Sequence, residues 1–110
     1  MFKNYDNEKF TVRVELYDAE SEHYNILHEE MLNRNFHKTI TIKGIKYQLP
    51  DAEYNKIGIL SLEQVLDLTI DAAKHTNRKF AVLITKSEDR IVYNLEPVKQ
   101  SKNPFNNSFG

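Results

Sequence analysis

The sequence contains no cysteine. Disulfides and thiolate metal sites are thereby excluded, and the composition suits a reducing, cytoplasmic compartment. Glycine is almost as scarce. There are three, none of them clustered, so no glycine-rich phosphate loop can be built. No stretch approaches the roughly 20 apolar residues needed to span a bilayer. The start, Met1-Phe2-Lys3-Asn4-Tyr5-Asp6, has no apolar run behind its charge, so no signal peptide is expected. An excess of charge is missing too. The net charge of −1 argues against binding nucleic acid by bulk electrostatics. Any such contact must use a local patch and be weak or brief. No spaced histidine set suits zinc, since His23 and His28 are five apart and off one helical face, and no Ser-His-acid order is present. Neither a metal nor a cofactor is expected.

What is present is enough for one domain. A chain of 110 residues with 40% apolar content buries roughly two-thirds of its unfolded surface and folds without staples. Residues 1–8 are polar and aperiodic and read as a flexible arm. Phe10, Val12, Val14 and Leu16 then alternate with Thr11, Arg13, Glu15 and Tyr17, the pattern of a strand with one apolar face. Ser21 is the expected N-cap of an amphipathic helix over 21–34, in which Tyr24, Leu27 and Met31 recur at helical spacing. Asn33-Arg34-Asn35 ends it.

Ile40 and Ile42 share one strand parity, whereas Ile45, Tyr47 and Leu49 share the other. The phase flips at Gly44, which marks a β-bulge or a tight turn. The bulge is preferred, giving one long bent strand over 36–49. Pro50-Asp51 is the turn into a returning strand over 53–60. Ser61-Leu62-Glu63-Gln64 is a capping box, and the helix after it is expected to bury Leu62, Val65, Leu66, Thr69 and Ala73. Leu68 and Ile70 lie off that stripe. Residues 79–85 are apolar on both faces, which fits a strand covered on both sides or one at an interface. A symmetric homodimer through the last strands is expected on that ground. Ile91, Tyr93 and Leu95 alternate as a short C-terminal edge strand ended by Pro97. The tail over 99–110 is polar apart from Phe105 and Phe109 and is expected to be disordered.

Strand-helix-strand occurs twice. The expected fold is α+β, a ferredoxin-like β-α-β-β-α-β sandwich over residues 9–98. Its antiparallel sheet carries both helices on one face and leaves the other open.

The stretch from Asn35-Phe36 to Leu66, with Gly44-Ile45, Gln48-Leu49-Pro50 and Tyr54 ahead of the second helix, resembles the GhoS-type family. The likeness runs from about Phe10 to Ile84. Members are small ferredoxin-like endoribonuclease antitoxins of bacterial type V toxin–antitoxin systems, similar in shape to the small CRISPR-associated endoribonucleases. The resemblance implies cofactor-free cleavage of a toxin mRNA. The small CRISPR-associated nucleases keep an Asp at the end of the first strand, where Asp18 stands here. The family's basic first-helix face carries His28 and Glu29-Glu30 in this chain.

Candidate residues follow, each with two readings. Asp18 either orients a water or binds a metal, or it is a helix-entry carboxylate beside a positive helix end. His28 is either a general acid–base, since imidazole titrates near neutrality, or a half-buried structural histidine. His23, His37 and His75 rank below it. RNA carries its own 2′-hydroxyl nucleophile, so metal-free cleavage needs only proton transfer and charge stabilisation, for which Arg13, Asp18, His28 and Arg34 are the candidates. Lys38, Lys43 and Lys46, with Tyr47 for base stacking, form either an RNA-binding strip or a solvated edge that blocks strand aggregation.

Three functions fit these residues. One is a metal-independent endoribonuclease antitoxin. Another is a catalytically silent protein–protein interaction domain of phage or prophage origin. The third is a ligand- or RNA-binding module using the open sheet face, where Thr11, Arg13 and Tyr17 project.

Overall fold

A computed structural model describes residues 7–99. In chain order the elements are β1 (Glu8–Leu16), α1 (Ser21–Asn33), β2 (Thr39–Ile42), β3 (Ile45–Gln48), β4 (Glu53–Gly58), α2 (Leu62–Ala73), a short 3-10 turn (Lys74–Thr76) and β5 (Phe80–Ser87). The protein is α+β. One antiparallel sheet has the order β4-β1-β5, and β2 and β3 form a separate two-stranded sheet.

β1 is central because its alternation gives it a face to bury and its length lets two neighbours pair along it. Phe10, Val12, Val14 and Leu16 are all buried. The register places Tyr54 of β4 and Ile84 of β5 opposite Val12, and Val82 opposite Val14, on that same face. Leu27 and Met31 of α1 and Val65, Ala72 and Ala73 of α2 complete the cluster, so both helices cover one side of the sheet. Each fully buried apolar side chain of this kind contributes roughly 2 kcal/mol.

The exit from α1 is fixed by its own backbone. Asn35 adopts a left-handed conformation (φ 64), its N–H bonds the Leu32 carbonyl (2.9 Å), and the Phe36 N–H bonds the Met31 carbonyl (3.0 Å). This is a Schellman motif, with Phe36 and Met31 buried together. The nearly buried Lys56 on β4 locks the same corner. Its Nζ donates to the Arg34 carbonyl (2.7 Å) and lies 4.9 Å above the Phe36 ring. The chain then runs beside β4, where His37 and Asn55 exchange backbone bonds of 2.8 and 2.6 Å. That single bridge occupies the position next to β4, away from β1.

Several boundaries differ from the sequence expectation. Residues 36–49 are not one bulged strand but a hairpin. Lys43 (φ 50) and Gly44 (φ 81) form its two-residue turn, both with positive φ as a type I′ turn requires. Ile42 faces Ile45, and Ile40 faces Tyr47. An even residue thus pairs with an odd one, and this produces the parity flip. The C-terminal edge strand over 91–95 is absent. Asn94 has φ 63, which no strand accommodates, and Ile91 and Tyr93 are 94% and 91% exposed. Val92 and Leu95 instead turn toward Thr11 and Ile40 around a cleft of about 330 Å³ on the otherwise open sheet face. Residues 96–98 then lie along β3, with Gln48 N–H donating to the Glu96 carbonyl (2.8 Å) and Val98 N–H to the Lys46 carbonyl (2.9 Å). Pro97, which has no N–H to offer, sits between those bonds.

The cap of α1 is Glu20 rather than Ser21, and its N–H donates to His23 Nδ1 (2.9 Å). The Ser61–Gln64 capping box is present, with bonds of 3.1 and 2.8 Å. The stripe that α2 buries is rotated from the expected one. Val65, Thr69, Ala72 and Ala73 are buried and Leu68 packs against the core, whereas Leu62 and Leu66 are left exposed. Glu8, assigned to the arm, already pairs with Gly58 in β1. The rest of the arm up to residue 6, and the tail from residue 100, lie outside the described residues.

Backbone strain gives a prediction of opposite signs at two turns. Ala52 has φ 70 in the turn before β4, a conformation ordinary for glycine and unfavourable for alanine. Gly44 has φ 81, and an added Cβ there would meet nothing within 4 Å. Gly44→Ala is expected to lose about 1 kcal/mol from conformation alone, and Ala52→Gly to gain about 0.5 kcal/mol. Urea midpoints at unchanged slope measure both. A loss at Ala52→Gly would place the strain elsewhere.

Candidate active site

Tyr24 and His28 stand four residues apart on α1 and so share a face. Their ring centroids are 6.4 Å apart. The Tyr24 hydroxyl is tied to the end of β1, accepting from the Leu16 N–H (3.0 Å) and reaching the Leu16 carbonyl at 3.5 Å. This holds the first turns of α1 against the sheet. His28 meets β4, where its Nδ1 lies 2.5 Å from the Tyr54 hydroxyl. Tyr54 is held in turn by the pairing of β4 with β1 and is fully buried.

Lys38 lies over the Tyr54 ring. It precedes β2, and its half-buried ammonium donates to the carbonyls of Pro50 (3.0 Å) and Glu53 (3.2 Å). The same nitrogen is 5.0 Å from the centre of the Tyr54 ring. An ammonium has three N–H donors, so one remains for an anion. Ser21, Tyr24, Asn25, His28, Asp51 and Ala52 line a cleft of about 360 Å³ at this place.

The electrostatics are set mainly by burial. Removal from water, then the charges of Tyr24 and Asp51, push the Tyr54 phenol well above its ordinary pKa, so it keeps its proton. Burial and then the Lys38 charge lower His28 below its usual 6.5, against an opposing pull from Asp51. Burial also lowers Lys38, opposed by Asp51 and Glu53. His28 lines the cleft together with the Asp51 side chain, and its imidazole favours the neutral form; behind it the buried Tyr54 phenol keeps its proton, with the Lys38 nitrogen over its ring. Which proton lies between His28 and Tyr54 decides the role of the ring. With the phenol donating to Nδ1, Nε2 carries hydrogen and is a hydrogen-bond donor that cannot act as a base. With Nδ1–H donating to the phenol oxygen, Nε2 is a base.

Of the residues proposed from sequence, the structure brings together His28 and Lys38. Arg13 is on the opposite face of the sheet, 67% exposed at its side chain, and pairs with Glu53 at 3.4 Å. Asp18 is exposed in the β1–α1 connection at φ 51, outside the cleft lining. Arg34 joins the two helices, bonding Glu30 on α1 (2.8 Å) and Asp71 on α2 (3.3 Å). The Glu30 hydrogen bond is the main cause of its raised pKa. Lys43 is at the hairpin tip. Lys46 and Tyr47 are adjacent on β3 and so point to opposite faces, Lys46 with Thr41 and Tyr47 with Ile40. The four residues of the proposed RNA strip therefore do not form one surface.

Tyr24, Asp51 and Tyr54 were not singled out from sequence. The four-residue spacing of Tyr24 and His28 was a usable signal, whereas nothing local announces Tyr54. Among the described residues, no group of three or more His, Asp or Glu side chains could hold a metal ion. No described helix is long and apolar enough to cross a membrane. No protein-family model, curated protein or solved structure matches the chain.

The His28 shift predicts a pH dependence of stability. Between its lowered folded pKa and the unfolded value of 6.5, the unfolded chain binds the proton first. The contribution of His28 is complete above the unfolded value and is lost as pH falls through the folded one. Wild type is expected to lose more stability than His28→Gln between about pH 7.5 and about pH 5, as read by urea midpoints. Equal losses would mean that His28 titrates as it does in the unfolded chain.

Proposed function

We propose that this protein is a small metal-independent endoribonuclease, acting in the cytoplasm as a type V antitoxin that cuts a toxin mRNA. The observation that carries the reading is the cluster of His28, Tyr54 and Lys38, in which His28 lines a cleft and the Tyr54 side chain touches both of the others. Cleavage by the RNA's own 2′-hydroxyl needs a proton acceptor, a proton donor and a cation near the phosphate. In this reading, His28 Nε2 takes the 2′-hydroxyl proton as the 2′ oxygen bonds to phosphorus. The bond from phosphorus to the 5′ oxygen then breaks, its electron pair goes to that oxygen, and the imidazolium returns the proton there. The products are a 2′,3′-cyclic phosphate and a 5′-hydroxyl. Tyr54 orients the imidazole, and the remaining Lys38 donor offsets the charge that develops on the phosphate.

The finer fold assignment, ferredoxin-like, belongs to the same proposal. Its support is the order of β4, β1 and β5, the two helices on one face, and the His37–Asn55 bridge where a fourth strand of that fold would run. RNA is the partner. Lys43 and Lys46 on the hairpin offer phosphate contacts outside the cleft, weak at this net charge and sensitive to salt.

The test is incubation of a labelled, AU-rich structured RNA with the protein, with and without EDTA. Cleavage is expected to survive EDTA and to leave cyclic-phosphate ends. His28→Ala is expected to slow it by about 10²- to 10⁴-fold, with Lys38→Met also impaired. Loss in Arg13→Ala with His28→Ala intact would move the chemistry to the other sheet face. Loss with EDTA alone would require a metal. No cleavage by folded protein would leave a binding-only function.

A further inference from the structure

β5 is at one edge of the sheet, and no other strand among the described residues pairs with its outer side. Its ladder to β1 runs without interruption from Lys9–Ser87 to Leu16–Phe80. It contains no proline or bulge, and from Phe80 to Thr85 no charge. The usual protections of an edge strand are thus missing along its centre. The outer edge of β3 differs, since residues 96–98 lie along it.

One bond outside the strands shows which groups of β5 are free. The Tyr17 N–H donates to the Lys79 carbonyl at 2.8 Å, and these two residues continue the β1–β5 register. Bonded and non-bonded pairs alternate in an antiparallel ladder. Odd-numbered residues of β5 therefore bond β1, and the N–H and C=O groups of Phe80, Val82, Ile84 and Lys86 point away from the sheet.

We infer that this edge pairs antiparallel with the β5 of a second copy, about a two-fold axis at Leu83. The axis must be perpendicular to the joined sheet, so residues of like parity pair. Charge then selects among the registers. With Leu83 opposite its copy, Arg78 before the strand meets Glu88 after it. Sliding one step of two residues puts Arg78 opposite Lys86, and sliding the other way puts it opposite Arg90. Of the three, only the central register avoids setting Arg78 opposite a like charge, and like charges directly opposed are unfavourable. In it, Phe80 exchanges backbone bonds with Lys86, and Val82 with Ile84.

Apolar surface agrees with this occupant. Leu83 projects from the open face at 64% exposure and would meet its own copy at the axis. On the helix side, Leu62 and Leu66 flank Val82 and Ile84 around a groove of about 250 Å³. These are the two α2 leucines that the core leaves out, and the second copy brings the same pair alongside. The joined sheet has six strands.

The absence of cysteine makes the register testable. Leu83 would face its copy at a non-bonded site, where Cα atoms are about 4.5 Å apart, within disulfide reach. Leu83→Cys is expected to form covalent dimers under mild oxidation, and Ala81→Cys, opposite Thr85, is not. Light scattering is expected to give twice the chain mass for the wild type. Leu83→Lys should give the chain mass and still melt cooperatively, because its side chain is outside the core, with a midpoint that no longer rises with protein concentration. A wild type that stays monomeric at high concentration would overturn the inference. So would a dimer indifferent to Leu83→Lys, or cross-linking through position 81 in place of 83.

Discussion

β1 must bury one face under two helices while bonding a strand along each edge. Its four inward residues, Phe10, Val12, Val14 and Leu16, form the floor on which α1 and α2 rest. A sheet with one covered face fixes register strictly, because a slip by one residue would turn all four toward water. Fixing β1 thereby fixes Tyr54 on β4 and Val82 and Ile84 on β5. The candidate chemistry and the candidate interface both take their positions from this strand.

The cleft is best understood as the rim of the core. Tyr54 belongs to the packed interior, and its hydroxyl meets the His28 ring that lines the cleft. That double position raises its pKa and sets its bond to His28. Lys38 is held at the same rim by two carbonyls and the ring face. Polar groups half out of water interact more strongly than on an open surface. A neutral histidine, a protonated tyrosine and an anchored ammonium are therefore the natural state of this seam.

Much of the fold was legible where a short pattern decides it. The alternation of β1, the Ser61–Gln64 box and the ending of α1 near Asn35 depend on neighbours within a few residues. At Gly44 the parity flip was legible and its cause was not. A bulge and a two-residue turn both shift the phase by one, and only the positive φ at Lys43 separates them. Over 91–95 the alternation misled, since it records apolar residues and not whether any strand lies beside them. The site was legible in part for a similar reason. His28 could be named from chemistry, and Tyr24 from spacing. Tyr54 required knowing that β4 lies beside β1 with its even residues under α1. Lysines ordinarily point to solvent, so Lys38 was grouped with Lys43 and Lys46, although it folds back onto the turn at Pro50.

The pairing of β1 with both β4 and β5 also governs how the chain folds. β1 is made before both of its partners and finds its first sheet neighbour about forty positions later, at β4, and its second only at β5, beyond residue 79. Contacts so distant in sequence delay the nucleus, because a large loop must close before they are rewarded. Helix α1 can flicker locally in the meantime, with no floor beneath it. A nascent chain lacking β5 displays the apolar edge of its central strand, the surface on which partly made chains stick to one another. Commitment to the native state thus waits for the last strand, and α1, β4 and α2 are secured together when it arrives.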